Sequence, residues 1–194
     1  MKLYYAPGAC SLADHIALHE ANLGFERVKV DLKAKQTEDG RDFDTINPKG
    51  YVPTLELDDG TRLTENVAVL YWVAQQAPAL APQGPLGTVH LVEMLAFLSS
   101  EVHKQFGRIF RATSDAEAQA AREKLTQRFA YLDKTLRDDY LFGKQFSVAD
   151  AYLFVMLLWA QKVELQVPAN LQRYTERVKA RPEVTKSLQH EGLA

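Results

Sequence analysis

The sequence predicts two domains: an α/β N-terminal domain of element order βαβαββα over residues 1–77, and an all-α C-terminal domain over residues 88–194. Three observations carry this. Strand-like and helix-like apolar spacings alternate from Lys2 to Gln76. Residues 78–87 (PALAPQGPLG) hold three of the eight prolines and read as a linker. Beyond them the period is helical almost throughout.

Residues 2–5 form a short apolar strand that breaks at Pro7-Gly8. A helix is expected over 11–22, with Leu12, Ile16, Ala17 and Leu18 on one face and Leu23-Gly24 closing it. Residues 25–32 (FERVKVDL) alternate as a second strand, and 33–45 are a loop or short helix. Asn47-Pro48-Lys49-Gly50 is a turn. Residues 52–57 are a third strand beginning at a proline, and Asp58-Asp59-Gly60 turns it into a fourth, 61–63. Thr64 is expected to cap a helix over 65–76. In the C-terminal half, Val92, Leu95, Val102, Phe106 and Ile109 mark one face of a single long helix, followed by a second over 116–136. Ser147-Val148-Ala149-Asp150 is a capping box with Asp in place of Glu. It opens a helix to about residue 163 that is apolar enough to be central and buried. Residues 168–180 and 182–189 are shorter helices.

The composition, 46% hydrophobic and 25% charged, is that of a globular protein. A formal net charge of −2 gives no electrostatic case for nucleic acid or an anionic membrane as partner. The single cysteine excludes an intrachain disulfide and a multi-cysteine zinc site, and no metal is expected. The longest apolar stretch, 149–160, is interrupted by Asp150 and too short to span a bilayer. With no long apolar N-terminal run to suggest a signal peptide, a reducing cytoplasm is the expected location.

The cysteine is the first candidate for chemistry. Cys10 stands where the first strand passes into the first helix, and the N–H groups and partial positive charge of a helix start favour thiolate. The other reading is a small buried residue. Cys10-Ser11-Leu12-Ala13 lacks a second cysteine, so intramolecular dithiol exchange is excluded and an external thiol is required. A strand–Cys–helix unit followed by Val52-Pro53 at the start of the third strand resembles the thioredoxin fold. In that fold the proline is cis and the residue before it binds an extended peptide through its backbone. An ordinary trans proline on an edge strand is the alternative. Thr64-Glu65-Asn66 opens a helix whose N–H groups suit a carboxylate while Glu65 suits an amine, together the α-end of an amino acid; a plain acidic helix start reads the same way. Ala96, Ser99, His103 and Gly107 make a small polar stripe beside the apolar face of the long helix, like a cleft wall. There His103 either exchanges a proton with a thiol or bonds a carbonyl. Lys104 and Lys35 suit a carboxylate or simply a solvated surface.

Together these segments resemble the beta class of bacterial glutathione S-transferases. The matching residues are Met1-Lys2-Leu3-Tyr4-Tyr5, Pro7-Gly8-Ala9-Cys10-Ser11, Asn47 to Pro53 (NPKGYVP), Leu57-Asp58-Asp59-Gly60, Leu63-Thr64-Glu65, Glu101-Val102-His103-Lys104 and Phe146 to Phe154 (FSVADAYLF), in the family's order along nearly the whole chain. The resemblance implies a thioredoxin-like N-terminal domain, an all-helical C-terminal domain and a homodimer. It implies that Cys10 faces the sulfur of glutathione, with Tyr5 nearby, and that Val52 and Pro53 hold its cysteinyl backbone. Glu65 and the N–H of Asn66 would hold the γ-glutamyl end and Lys35 the glycyl carboxylate. His103 and Lys104 would line the thiol end, and Phe106, Phe110 and Trp159 would build the pocket for a small electrophile. Transfer of glutathione to that electrophile, or thiol exchange or peroxide reduction through Cys10, is the implied function. A non-catalytic binding protein of the same fold and a monothiol reductase are the alternatives. Asn66 replaces the family's usual Gly or Ser and is expected to crowd the γ-glutamyl group. Ala96 replaces an asparagine that often reaches the partner's site. Both lead to an expectation of weaker glutathione binding.

Overall fold

The computed structural model describes residues 1–136 and 138–194. The alternating run at the start forms β1 (Lys2–Tyr5), and α1 (Leu12–Glu20) follows, then β2 (Glu26–Asp31) parallel to β1. The segment expected as a loop or short helix contains both a two-residue strand, β3 (Gln36–Thr37), and a one-turn helix, α2 (Phe43–Ile46). β4 (Thr54–Glu56) and β5 (Arg62–Thr64) complete a sheet of order β3-β2-β1-β4-β5, antiparallel except for β1 and β2. α3 (Asn66–Gln76) ends the α/β part. The predicted order is therefore right apart from the added β3.

The period of two in the strands divides the sheet's faces. Leu3 and Leu55, paired across β1 and β4, face the core shared with α1, α3 and the C-terminal helices. Tyr4, Val28 and Val30 face the other way, against Phe43 and Ile46 of α2. α1 ends earlier than the sequence suggested. Asn22, not Gly24, takes the left-handed conformation at φ +53°. The Leu23 N–H reaches the Leu18 carbonyl and the Asn22 N–H the His19 carbonyl, the paired bonds of a Schellman cap.

Residues 78–87 begin with a short 3₁₀ turn, Pro78–Leu80, and end where Gly87 opens α4 (Gly87–Phe97). A Cβ at Gly87 would lie 2.1 Å from the Pro82 carbonyl oxygen, so only glycine allows this close chain crossing. The expected single long helix is not one regular helix. α4 passes through a π-helical segment, Leu98–His103, into α5 (Lys104–Phe110). The buried face runs through Leu91, Leu95, Leu98, Val102 and Phe106, all fully buried; Val92, expected inside, lies beside Leu91 on the outer side and is exposed. α6 (Asp115–Thr135), α7 (Val148–Lys162), α8 (Ala169–Lys179) and α9 (Pro182–His190) complete the chain.

α7 is the central helix its composition implied, buried from Val148 to Leu157. Its start is fixed by Asp150, whose carboxylate accepts from the Ser147 N–H (2.8 Å), the Ser147 hydroxyl (2.6 Å), the Leu141 N–H (2.9 Å) and the Tyr174 hydroxyl (2.8 Å). α1 packs on both α7 and α9, so the helix that begins beside Cys10 is seated on the C-terminal half. No helix among the described residues is long and apolar enough to cross a membrane.

Candidate active site at the junction of the two halves

Cys10 lies at the base of a cleft between the α/β part and the π segment. The cleft has two lobes, of about 380 and 310 Å³, that share Cys10, Tyr51, Val52, His103 and Arg111. One lobe extends to Gly8, Phe110, Trp159 and Lys162, the other to Pro53, Glu65, Asn66, Ser99 and Tyr152. A larger open depression of about 760 Å³ beside α8 touches none of the residues singled out from the sequence.

The backbone around Cys10 is anchored from both sides. The Gly8 N–H donates to Glu191 Oε2 at 2.9 Å, and Trp159 Nε1 donates to the Gly8 carbonyl at 2.8 Å. Within the loop, Ser11 Oγ accepts from the Ala6 N–H at 3.2 Å. The Val52–Pro53 peptide is cis, and the Val52 carbonyl accepts from Cys10 Sγ at 3.4 Å. The thiolate that the helix start favours is opposed in the assembled site. Burial and the neighbouring Asp14 carboxyl push the thiol up to about 12, outweighing the favourable Cys10 and Ser11 N–H groups. The fully buried Asp14, one turn along, has its own pKa raised by the same burial.

Glu65 precedes α3 with φ +71°, a left-handed conformation uncommon for this residue. It, not Thr64, is the N-cap; the Thr64 hydroxyl instead accepts from Lys49 Nζ. Lys49 Nζ (2.6 Å) and the Tyr51 hydroxyl (2.7 Å) both donate to Glu65 Oε1, and the Lys49 bond holds its carboxyl below the usual range. Asn66 does not crowd the cleft. Its side chain turns inward and donates to the Cys10 carbonyl at 2.8 Å and to Asp14 Oδ2 at 2.9 Å.

His103 ends the π segment with Nδ1 2.7 Å from the Tyr152 hydroxyl and its ring edge-on to Trp159. Burial, then the Arg111 charge, pushes its pKa down to about 4, so the ring is neutral at neutral pH. It offers a hydrogen bond, not a charged acid. Because the unfolded chain takes up this proton near pH 6.5 and the folded chain only near 4, His103 destabilises the fold as pH falls through that window. Chemical denaturation at pH 7 and pH 4.5 is expected to show native protein losing on the order of 2 kcal/mol more than His103→Gln, after discounting the shift for partial solvent access.

Several predicted residues lie elsewhere. Tyr5 is in the core against His15, Phe106 is fully buried behind Phe110 and Trp159, and Lys104 is exposed and outside the lining. Lys35 Nζ is engaged by the Gly50 carbonyl, and Ala96 is exposed away from the cleft. The π segment explains Ala96: it changes the angular step that the helical stripe assumed, whereas Lys104, placed by the resemblance alone, is one residue past His103 and turns away to solvent. Cys10, Val52, Pro53, Glu65, Asn66, His103, Phe110 and Trp159 do come together. The sequence reading missed Tyr51, Arg111 and Tyr152. Arg111 was legible as the next i, i+4 step after His103 and Gly107. A Cβ at Gly107 would meet its guanidinium at 2.7 Å, so the glycine makes room for it.

The family model described as "Glutathione S-transferase, N-terminal domain" matches residues 9–76, and that described as "Glutathione S-transferase, C-terminal domain" matches residues 89–182. Glutathione S-transferase GstA of Escherichia coli O157:H7 is 41% identical over all of both chains. A sphingomonad glutathione S-transferase solved in complex with glutathione is 49% identical, covers both chains fully and superposes with a TM-score of 0.93. A bacterial beta-class enzyme from Sphingomonas chungbukensis is 46% identical, with full coverage of both chains and a TM-score of 0.92. Two family models in sequence order, relatives aligned from end to end and a cysteine-based cleft of this architecture together establish that the chain belongs to the glutathione S-transferase family, with the bacterial beta class as its structural kin.

Proposed function

We propose that the cleft binds glutathione and transfers its thiol to a small electrophile, with Cys10 acting on the sulfur of the bound tripeptide. The observation that carries this is the Cys10–Val52 contact in a cleft whose far end holds Glu65 at the start of α3. A tripeptide laid along Val52 places its backbone N–H at the carbonyl now engaged by Cys10. The thiol is thereby released to donate to the glutathione sulfur and favour its thiolate. A protonated Cys10 suits that task better than a preformed thiolate would, because two adjacent sulfur anions repel. Glu65 Oε2, which accepts no protein hydrogen bond among the described residues, receives the γ-glutamyl amine, and the first N–H groups of α3 receive its carboxylate. His103, neutral and fixed by Tyr152, lines the thiol end.

The lobe formed by Phe110 and Trp159 takes the electrophile, and Arg111 and Lys162 on its wall favour a leaving group that departs as an anion. The glutathione thiolate attacks the electrophilic carbon, and that anion leaves. Cys10 also supports thiol exchange: as thiolate it displaces one half of a disulfide, and glutathione then resolves the mixed disulfide. With Asn66 turned inward, only Ala96 remains as a reason for weaker binding. A division at residues 78–87, a cytoplasmic location and a homodimer are proposed on the same basis. The dimer is supported by the exposed apolar row Leu86, Val89 and Val92 along the start of α4.

The test is a panel of glutathione-dependent assays with an aryl halide, hydroxyethyl disulfide and cumene hydroperoxide. Turnover with at least one is expected. Silence with all three, alongside intact glutathione binding, would identify a binding protein without catalysis.

A further inference from the structure

Away from the cleft, three histidines converge where α1 meets α9. His15 and His19, one turn apart on α1, share a helix face, and His190 ends α9. One ring nitrogen of each lies within 4.8 Å of one from each of the others. Their ring centroids are 5.0, 5.3 and 5.7 Å apart. His15 Nε2, His19 Nε2 and His190 Nδ1 are all buried without a hydrogen-bond partner among the described residues. His15 is fully buried, and such a ring with one orphaned nitrogen is uncommon.

We propose that His15, His19 and His190 form a site for one zinc-type divalent transition-metal ion, held by three imidazoles with a fourth position open to water. At metal–nitrogen bonds of about 2.0–2.1 Å, tetrahedral ligand nitrogens stand about 3.3 Å apart and imidazole centroids about 5 Å apart. The centroids already have that spacing. The nitrogens close the remaining distance by rotation of His19 and His190, the two rings nearer the surface. His15 is held in place: its Nδ1 lies 2.8 Å from Glu191 Oε1. When ionised, Glu191 accepts from the His15 Nδ1–H and leaves Nε2 as a lone-pair donor, the usual arrangement behind a metal-bound histidine; burial raises Glu191 to about 7, so that state prevails above neutral pH. Glu183 stands 3.8 Å from His19 Nδ1, beyond hydrogen-bond distance, and adds negative charge beside the cluster.

The electrostatics agree. His15 is held down to about 3 and His19 to about 4 by burial, and His190 is lowered for the same reason, so all three are neutral ligands at physiological pH. Arg27 and Lys186 face the cluster and oppose a cation, and Glu183 and Glu191 offset them. A surface depression of about 300 Å³, lined by His19, Phe25, Glu183 and Lys186, gives an ion access. The consequence reaches the cleft. An ion here ties α1 to the C-terminal end of α9, and the adjacent Glu191 anchors Gly8 in the loop that carries Cys10.

The test uses tag-free, chelator-stripped protein titrated with zinc by calorimetry, and with cobalt(II) read by visible absorption. One equivalent of zinc per chain, a tetrahedral cobalt spectrum and a raised thermal midpoint are expected. His19→Gln and His190→Gln, which spare the buried His15, are expected to bind at least tenfold more weakly while remaining folded by circular dichroism. Absence of uptake by the native protein overturns the proposal. So does uptake that both histidine variants retain, or that Cys10→Ser abolishes while they do not. None of these outcomes depends on whether the cleft binds glutathione.

Discussion

Cys10→Ser is expected to lose glutathione-dependent exchange with hydroxyethyl disulfide by at least about 100-fold, while its conjugation of an aryl halide stays within about tenfold of native. The two reactions need different things from position 10. Conjugation needs a donor aimed at the glutathione sulfur, and a hydroxyl on the same carbon supplies one. The mixed disulfide needs sulfur itself, and no other cysteine in the chain can replace it. Parallel steady-state assays of both reactions check this. The native exchange rate is also expected to climb steeply with pH across the neutral range, because Cys10, pushed up to about 12, is almost wholly protonated there. Comparable loss of both activities in Cys10→Ser would instead make the cysteine an obligatory nucleophile in conjugation too.

The largest expected loss of stability comes from Asp150→Ala, at a site remote from the chemistry. Four donors from Leu141, Ser147 and Tyr174 converge on that carboxylate in a fully buried environment. Removing it orphans two backbone N–H groups and the Ser147 hydroxyl, leaves Tyr174 only its longer bond to the Asp150 carbonyl, and frays the start of the central helix. A loss of about 3–5 kcal/mol follows, or roughly a 10 °C fall in thermal midpoint for a chain of this size. Differential scanning calorimetry measures it. Burial raises the Asp150 pKa, and the four donors oppose that rise. That is why a methyl group is a poor substitute.

These two residues also show what the sequence makes legible. Asp150 was readable because a capping box is local: cap and N3 residue lie three apart, and both halves fall in one pattern. The succession of strands and helices other than β3, the turns and the buried α7 were readable for the same reason. Cys10 was readable by position but not by charge state. The helix-start argument is local, whereas burial and the facing Asp14 are properties of the assembled domain. Asn66 follows the same rule: adjacency placed it at the γ-glutamyl end, but its amide has better partners inside, at Asp14 and the Cys10 carbonyl. The π segment left no mark in the apolar spacing, because five fully buried residues from Leu91 to Phe106 fit either helix type closely enough. Tyr152 was hidden within an apolar helix, and the histidine cluster needed His190 to be brought back from the far end of the chain.

In this reading Glu65 and Cys10 hold the γ-glutamyl end and the thiol of one bound glutathione. Calorimetric titration of the native protein and of Glu65→Gln with reduced glutathione tests this. The expected result is one site per chain in the native protein and at least about tenfold weaker binding in Glu65→Gln, as befits the loss of a charge-assisted hydrogen bond to the γ-glutamyl amine. No saturable binding by the native protein, or equal affinity in the two, would contradict it.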